Sequence, residues 1–566
     1  MNFINPILTY DYLYPVIILI VFIVYCLVEY KSYGIITSIS ITQLDSLLFV
    51  FYLFISFNLI KNNSDLRSND LYPLVIYPLL YITIRIGKEK VNIRLILGIM
   101  VIISLGEVFI GLIQIMNEGV FLVLKNKITG SFGSPAIYSN FLICNIPFIF
   151  YFFCHRRIKN RFIESVFFAV ISIAILAVLF CTQSRLAFLT LIFQMCVIIL
   201  LEKRAKFSFT LKGAVLLAVA LGGVFVMLLF LKSDSTSGRW FVIENTLILL
   251  KYNFLEGVGI GRFDVVYNNF QENYFRTHTD KVHEYLASYI TVAYNDYLQF
   301  FLELGLTGMI FMIVILTKLF TIIKQALTGE MKVRDEIKAS LVCCLTILFL
   351  ALFSFPFRLQ VIFTIFIITL GLLSDLDFQI FQLNVRKAWP STIVCVFTFL
   401  FTIRLILTYS DNIKWNEVSL YAKNVEVPAP VLIEVYESLI PELGNNTDFL
   451  EDYAKKMYIK KHYFHASEIL KTASMYSHKY DIYLLLGMCY DKMNQNDLAA
   501  QTYLKCSYMV PGLFISRYNL MMIYYKTNNF TLAKRWAGII LKMPVKVNSK
   551  TTDKIKKTAG LLNNKI

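Results

Sequence analysis

The sequence predicts an all-α fold, a polytopic bundle of about 12 membrane-spanning helices with one large external loop, followed by a C-terminal domain of α-helical repeats. Of the 566 residues, 57% are hydrophobic and only 16% are charged, whereas about a quarter of a soluble protein is charged. Long apolar runs alternate with short charged segments, which is typical of a chain that crosses a bilayer many times. After residue 410 the composition shifts to lysine, asparagine, tyrosine and glutamate, which predicts a separate domain outside the membrane.

Each predicted span is a run of roughly 20 mostly apolar residues, the length that crosses the hydrocarbon core of a bilayer. The first run has neither a basic leader nor a small-residue cleavage site, so we expect no cleavable signal peptide. The predicted spans are residues 12–30, 44–60, 71–86, 95–116, 138–154, 163–182, 185–201, 213–231, 296–317, 339–356, 359–374 and 389–409.

The basic residues predict which side of the membrane each connection faces. The net charge is +16, and basic clusters lie in short connections between spans, as the positive-inside bias of cytoplasmic loops requires. This bias explains the charge without nucleic acid, and we expect no nucleic-acid partner. With these clusters inside, residues 232–294 and 410–566 lie outside. The predicted domains are therefore residues 1–409, which include the large loop 232–294, and residues 410–566.

A period of 34 residues runs through the C-terminal domain. Leu486 and Tyr490 recur as Leu520 and Tyr524, a spacing typical of the helix–turn–helix units of tetratricopeptide repeats. We therefore predict such repeats over about residues 449–545. Because stacked repeats present a concave surface that commonly binds another molecule, they also predict a protein partner.

Three isolated arginines lie on the predicted outer side, where the positive-inside bias does not favour them. Arg185 is the only charge between two apolar runs, Arg358 is the only charge of a tight turn, and Arg239 follows the span at 213–231. A guanidinium offers a planar fork of donors that suits phosphate, so we interpret these arginines as phosphate ligands, with Glu107 as a candidate partner for one of them. The alternative is that they reach lipid headgroups.

The large loop contains a glycine-rich stretch and a cluster of ionisable residues. The stretch "EGVGIGRF" (256–263) lacks the strand and helix that surround a dinucleotide site, so we interpret its glycines as turns that pack the loop against the helices. His278 and His283 are five residues apart rather than at the i, i+4 spacing of a helical zinc site, so we expect no metal. The alternative to a functional His283 or Glu284 is an ordinary solvated loop.

Four stretches, in the expected order, resemble the O-antigen ligase superfamily of integral membrane glycosyltransferases. This superfamily includes O-antigen ligases, O-antigen polymerases and bacterial protein O-oligosaccharyltransferases, and some members carry C-terminal tetratricopeptide repeats. The resemblance covers roughly residues 40–375. The four stretches are "GSFGSPAIYSNFLICNIPF" (130–148), "TQSRLAFLTL" (182–191), "SGRWFVIENTLILLKYNFLEGVGIGRF" (237–263) and "AYNDYLQFFLELGLTGMI" (293–310).

The resemblance implies an enzyme that transfers a glycan from an undecaprenyl-diphosphate-linked donor to an acceptor hydroxyl on a lipid, a protein or another glycan. It implies a place in the bacterial inner membrane, with the large loop and the C-terminal domain in the periplasm. It implies neither a nucleotide sugar nor a metal or other cofactor. Arg185 and Arg239 fall on the arginine motifs of the superfamily and, with Arg358, would bind the donor diphosphate, where fixed cations stabilise the leaving group.

The resemblance also implies a catalytic group where the large loop enters the next helix. Many members have histidine before the asparagine of this motif, whereas this sequence has Tyr294 before Asn295. Either His283 or Glu284 is then the candidate base, and Tyr294 would orient the acceptor. The candidate catalytic residues are therefore His283, Glu284, Tyr294 and Asn295.

Three other functions compete with this interpretation. A polymerase of O-antigen or capsule repeat units, whose acceptor is another lipid-linked repeat, is the alternative within the superfamily. A transporter of lipid-linked glycans would show internal repeats and broken helices at mid-membrane, which the sequence lacks, and a scaffold would not need so many spans. Because the candidate catalytic residues all precede residue 375, we expect the membrane domain to perform the chemistry without residues 410–566.

Overall fold

The computed structural model confirms the predicted all-α membrane fold, because helices make up most of the described chain. The structure describes residues 36–62, 68–87, 93–118, 127–154, 161–202, 233–328, 333–386, 403, 410–423, 425–546 and 548–565.

The elements are numbered here in chain order. The strands are β1 (Ile36–Thr42) and β2 (Gln379–Arg386). The helices between the strands are α1 (Gln43–Asn62), α2 (Ser68–Gly87), α3 (Ile93–Glu118), α4 (Pro135–Cys154), α5 (Arg161–Thr182), α6 (Arg185–Glu202), α7 (Ser233–Tyr252), α8 (Phe263–Thr277), α9 (Lys281–Leu286), α10 (Asp296–Thr328), α11 (Asp335–Ala351) and α12 (Gln360–Leu373). Short 3₁₀ turns at Pro356–Arg358 and Ser374–Leu376 flank α12.

After β2, residues 410–423 are helical, and eight labelled helices follow. They are α13 (Ala429–Leu443), α14 (Thr447–Ile459), α15 (Tyr463–Tyr476), α16 (Tyr480–Lys492), α17 (Asn496–Met509), α18 (Phe514–Lys526), α19 (Phe530–Lys542) and α20 (Lys550–Lys565).

Nine of the predicted spans coincide with helices α1–α6 and α10–α12. The predicted spans 12–30, 213–231 and 389–409 lie outside the described residues, apart from residue 403. Within the described part of the chain, four helical segments are long and apolar enough to cross a membrane, and three shorter apolar helices accompany them. The four are Gln43–Lys61, Leu97–Asn117, Pro135–Phe153 and Asp296–Ala326, and the three are Val166–Thr182, Arg185–Leu201 and Gln360–Leu376.

The chain divides into two compact units. The first contains the described residues up to Ser233, Tyr294–Tyr297, and those from Gly308 to residue 403. The second contains Asp234–Ala293, Leu298–Thr307 and the described residues from 410 onward. Most of the large loop therefore folds with the C-terminal helices. The predicted division of the sequence at residues 409 and 410 remains a prediction.

A polar side chain joins three helices in the apolar core of the first unit. Gln194 of α6 donates to the backbone oxygen of Ile143 in α4, at 2.7 Å, and to the hydroxyl of Thr346 in α11, at 2.9 Å. Away from water these partners are nearly obligatory, because an unsatisfied buried amide costs on the order of 1–3 kcal/mol. Gln194 therefore specifies how α4, α6 and α11 are aligned.

The first unit also contains a pair of strands that the sequence did not predict. β1 and β2 are antiparallel, and their register runs from Ile36 opposite Arg386 to Ile41 opposite Phe381. The sequence of neither strand predicts which segment it pairs with, because the two strands are more than 330 residues apart in the chain. The predicted all-α fold therefore includes, among the described residues, a two-stranded sheet.

The second unit contains three consecutive helix pairs, α14 with α15, α16 with α17, and α18 with α19. Their first helices begin at Thr447, Tyr480 and Phe514, so the spacing is 33 and 34 residues, close to the predicted period. In the packed seam Leu486, Tyr490 and Leu520 are buried, whereas Tyr483 and Tyr524 are half-buried. This geometry agrees with the predicted helical pairs, and membership of the tetratricopeptide family stays a prediction.

The glycine-rich stretch of the loop packs against a break in α10. Gly305 has φ 65° and ψ −162° inside that helix, a conformation that only glycine adopts readily. The break leaves carbonyl oxygens accessible, and the N–H groups of Val258 and Gly259 donate to the carbonyls of Leu302 and Glu303, both at 2.9 Å. A Cβ on Gly257 would lie 2.5 Å from the Glu303 oxygen. The interpretation of these glycines as packing turns is confirmed.

Candidate functional site

His283 is oriented by a carboxylate three residues before it. Asp280 caps α9 by accepting hydrogen bonds from the N–H groups of Val282 and His283, and its other oxygen lies 2.5 Å from Nδ1 of His283. An ionised carboxylate can only accept a hydrogen bond, so Nδ1 is the donor, and the lone pair of the neutral imidazole is then on Nε2. Burial raises the pKa of Asp280, but the hydrogen bonds to His283 outweigh it and lower that pKa below its usual value.

An aromatic ring of α7 fixes the plane of the His283 imidazole. Phe241 is buried, and its ring stacks on that of His283 with centroids 4.3 Å apart and an interplanar angle of 17°. Arg239 is half-buried and lies two residues before Phe241 on the same helix. The second unit thus contains a supported histidine and one of the three predicted phosphate ligands.

Glu284 faces a cation from the C-terminal domain. Its carboxylate lies 3.7 Å from the guanidinium of Arg517, which is only 11% exposed. Burial lowers the pKa of Arg517, while the charge of Glu284 opposes that change. Because Glu284 is occupied by this pair, it is less suited than His283 to accept a proton from a substrate.

Two more contacts hold α9 against the C-terminal helices. Lys546 donates to the backbone oxygen of Tyr285 at 3.1 Å, and its ammonium lies 5.3 Å from the centre of the Tyr285 ring. A Cβ on Gly512 would be only 3.3 Å from the backbone oxygen of Glu284. The short helix that carries His283 is therefore held by residues more than 200 positions later in the chain.

A buried ionic cluster joins α8 to the same C-terminal helices. Glu272 accepts hydrogen bonds from His478 at 2.9 Å and from Arg276 at 2.6 Å, and Lys505 lies 3.9 Å away. Burial raises the pKa of Glu272, but the hydrogen bonds from His478 and Arg276 and the charge of Lys505 outweigh it and lower the pKa. Beside this cluster Gln271 donates to the backbone oxygen of Met509 at 2.8 Å.

The remaining candidate catalytic residues, Tyr294 and Asn295, belong to the first unit. Tyr294 has φ 56°, in the left-handed region, and its ring packs edge-on against Phe355 with centroids 6.2 Å apart. Both side chains are half-buried. The next residue, Asp296, is 1% exposed and accepts a hydrogen bond from the N–H of Phe357 at 2.9 Å. This contact joins the start of α10 to the turn that contains Arg358.

Arg185 and Arg358 both belong to the first unit. Phe193 of α6 stacks on Phe349 of α11 with centroids 4.3 Å apart, and the adjacent Gln194 donates to the hydroxyl of Thr346, so α6 packs against α11. Arg185 is the first residue of α6, and the Pro356–Arg358 turn follows α11. Arg185 is half-buried and Arg358 is exposed. For Glu107, the observed donors are the N–H and hydroxyl of Ser131.

Sequence reasoning missed the supporting role of three residues. Asp280 directly precedes the first residue of α9, and aspartate is a preferred N-cap residue, so its capping role has a local signal. Asp296 follows Asn295 at the start of a helix, and its burial as a hydrogen-bond acceptor for Phe357 has no local signal in the sequence. Phe241 carried no local signal, because only the tertiary fold brings its ring to His283.

Residues 167–313 match the family model described as O-antigen ligase. No curated protein matches the sequence. The matched range contains the stretches 182–191, 237–263 and 293–310, whereas the stretch 130–148 lies outside it. The match supports a place in the O-antigen ligase superfamily, and with it the role of a membrane glycosyltransferase-like protein.

Proposed function

We propose that this protein transfers a glycan from a polyprenyl-diphosphate-linked donor to an acceptor hydroxyl. One observation carries the proposal: the region matched to O-antigen ligase, 167–313, contains Arg185, Arg239 and a histidine whose Nδ1 is held by a carboxylate. That combination provides a base and two cations, which are the groups that this reaction requires.

The proposed step assigns a role to each group. Nε2 of His283 accepts the proton of the acceptor hydroxyl while the acceptor oxygen attacks the anomeric carbon of the donor sugar. The bond between that carbon and the diphosphate oxygen breaks, and the lipid diphosphate leaves with the bonding electrons. Arg185, Arg239 and Arg358 stabilise the charge that develops on the phosphate oxygens. Asp280 stabilises the imidazolium after proton transfer.

Three further assignments complete the proposal. Glu284 holds α9 in place through Arg517 and is the second choice for the base. Tyr294 and Asn295, at the start of α10, position the acceptor. A repeat-unit polymerase would use the same groups and differ only in taking a second lipid-linked glycan as acceptor. We place the reaction at the periplasmic face of the inner membrane.

Lysine substitution of the arginines tests the role in diphosphate binding. We expect Arg185→Ala and Arg239→Ala each to lower transfer about 100-fold or more, the scale for loss of a transition-state donor. Arg→Lys should recover little, because a point charge cannot supply the planar fork. Transfer from a lipid-diphosphate-linked glycan would be measured with purified protein. Arg334→Ala, an exposed arginine at the start of α11, is the matched control. Near-normal transfer by either lysine variant would contradict the role in diphosphate binding.

A further inference from the structure

The last part of the chain carries most of the net charge. Residues 514–566 contain eleven lysines and arginines and one acidic residue, Asp553, so they contribute +10 of the total +16. Residues 411–513 contain ten basic and thirteen acidic residues, a net charge of −3. The positive-inside bias explains basic connections between spans, but this segment follows the last predicted span. Its charge therefore requires a different explanation.

Some of these cations are neutralised within the fold and others are not. Arg517 faces Glu284, and Lys526 lies 3.0 Å from Asp491. By contrast, Lys534, Arg535 and Lys542 of α19 are exposed, and no hydrogen bond or ion pair joins them to another residue of the described chain. Like charges on one face repel each other, and the potential that they create attracts a partner of opposite sign.

The three cations of α19 line a shallow groove that is open to solvent, together with Phe530, Thr531, Gly538 and Ile539, and all of these residues belong to α19. Positions 534, 538 and 542 follow at four-residue intervals, so they share one face of the helix. A Cβ on Gly538 would meet no atom within 4 Å, so the floor of the groove is open. Eight residues separate Lys534 from Lys542, about 12 Å along the helix axis. The positive charges therefore form a row.

We propose that this groove binds an acidic glycan, an extended chain whose sugars carry carboxylate or phosphate groups. The proposal rests on the proposed function and deepens it, because it names the class of glycan that the protein handles. A row of cations matches charges repeated along a polymer, whereas a single small anion is bound by donors that converge on one point. Phe530, which is 43% exposed, provides apolar surface at one end of the groove, and apolar surface with a few polar groups is typical of binding sites.

Direct binding to the full-length protein in neutral detergent tests this proposal. The probes are polygalacturonic acid, uncharged dextran of similar length, and micelles that contain phosphatidylglycerol. We expect polygalacturonic acid to bind, with an affinity that falls steeply as salt increases because bound counterions are released. Dextran should not bind measurably. Binding to the lipid micelles but not to polygalacturonic acid would overturn the proposal.

Charge and shape are tested by separate variants. Replacing Lys534, Arg535 and Lys542 with glutamine should weaken binding of polygalacturonic acid roughly 10- to 100-fold at low salt and reduce its salt dependence. The matched control replaces Lys423, Lys460 and Lys492 with glutamine, which removes the same charge from residues 411–513. Gly538→Phe should also weaken binding, because it fills the groove without changing the charge. Equal binding by the groove triple variant and its control would overturn the proposal.

The binding measurement is independent of transfer. If wild-type protein binds polygalacturonic acid as expected but Arg185→Lys transfers normally, the proposed mechanism fails and the acidic-glycan groove stands. If the arginine variants behave as expected but polygalacturonic acid does not bind, the groove assignment fails alone.

Discussion

At the scale of single residues, the support around His283 decides what its imidazole can do. Asp280 holds Nδ1, and Phe241 fixes the ring plane. Histidine is the side chain whose charge ordinarily changes between pH 5 and 8, and in the neutral form of this ordered ring the lone pair on Nε2 can accept a proton. His278, five residues away, stacks on Tyr274 and is exposed. The two histidines of the loop therefore differ in environment and serve as a matched pair.

We expect His283→Ala to lower transfer by about 10²- to 10⁴-fold, the usual contribution of a general base. In the wild type, the rate should rise as pH increases from 5.5 to 7.5, and this rise should disappear in the variant. Asp280→Asn should lower the rate with intact protein levels, because an amide does not stabilise the imidazolium as a carboxylate does.

His278→Ala is the control and should keep both the rate and the pH profile. An unchanged pH profile in His283→Ala would remove His283 as the base, and Tyr294→Phe would be the next variant to measure.

At the scale of elements, α9 depends on its neighbours. It has six residues, and isolated helices shorter than about 12 residues are marginal in water. Its N-terminus is capped by Asp280, and its other contacts include Arg517 and Lys546 of the C-terminal domain. The C-terminal helices therefore act as the support that keeps the candidate base in position.

Arg517→Gln should reduce transfer by about tenfold or more and shift its pH profile, because α9 and His283 lose a fixed position. Arg517→Lys keeps the positive charge opposite Glu284 and should restore most of the rate. Transfer to a small soluble acceptor is the measurement, and it reports on chemistry rather than on acceptor capture. Arg517 does not support α9 if the transfer rates of Arg517→Gln and Arg517→Lys are both indistinguishable from that of the wild type.

The Glu272 cluster should make the packing of α8 on the C-terminal helices sensitive to acid. A lowered pKa in the folded state means that Glu272 stabilises folding above its ordinary pKa of 4.5, and this stabilisation is lost as pH falls below that value. Hydrogen exchange of residues 263–277, corrected for intrinsic rates, should therefore accelerate as pH falls from 6 to 3.

Glu272→Gln provides the comparison. It should already exchange faster at pH 6, by an amount on the order of 1–3 kcal/mol of lost protection, because His478, Arg276 and Lys505 lose the carboxylate that they contact. The exchange rate of this variant should also change less between the two pH values than that of the wild type. The same acid response in both proteins would mean that another group is responsible.

At the scale of the whole molecule, the large loop and the C-terminal domain must lie on the same side of the membrane. Their side chains and backbone meet directly, for example where Gln271 donates to Met509 and where Glu272 contacts His478. The predicted topology places both segments outside and is consistent with this requirement. The expectation that the C-terminal domain is dispensable for the chemistry changes, because its removal would expose this buried polar surface.

Truncation after residue 412 should therefore abolish transfer to small and native acceptors alike. The measurements are transfer, protein accumulation, and labelling of a cysteine placed at Gln271, which is 1% exposed in the intact fold. We expect that cysteine to react only in the truncated protein. Full transfer to a small acceptor after truncation would restore the original expectation that the domain only collects the acceptor.

The positions of the apolar helices and of the repeated helix pairs follow from the sequence alone. Apolar runs of span length identify nine described helices because hydropathy is a local property. The 34-residue period predicts the helix pairs, and the glycines of 256–263 indicate turns that no other residue could form so closely against a backbone. These signals require no knowledge of distant residues.

Only the tertiary structure decided which residues of these elements contact one another around the candidate site. Glu272 meets His478 across 206 residues of chain, and no periodicity connects such positions. The Phe241 ring supports His283 because α7 and α9 pack together, and the β1–β2 pair forms because the fold brings its two segments into register. The sequence determines which residues can donate a hydrogen bond, accept one or be buried. Packing selects their partners, because one sequence allows many long-range pairings and only the folded core satisfies all of its buried polar groups together.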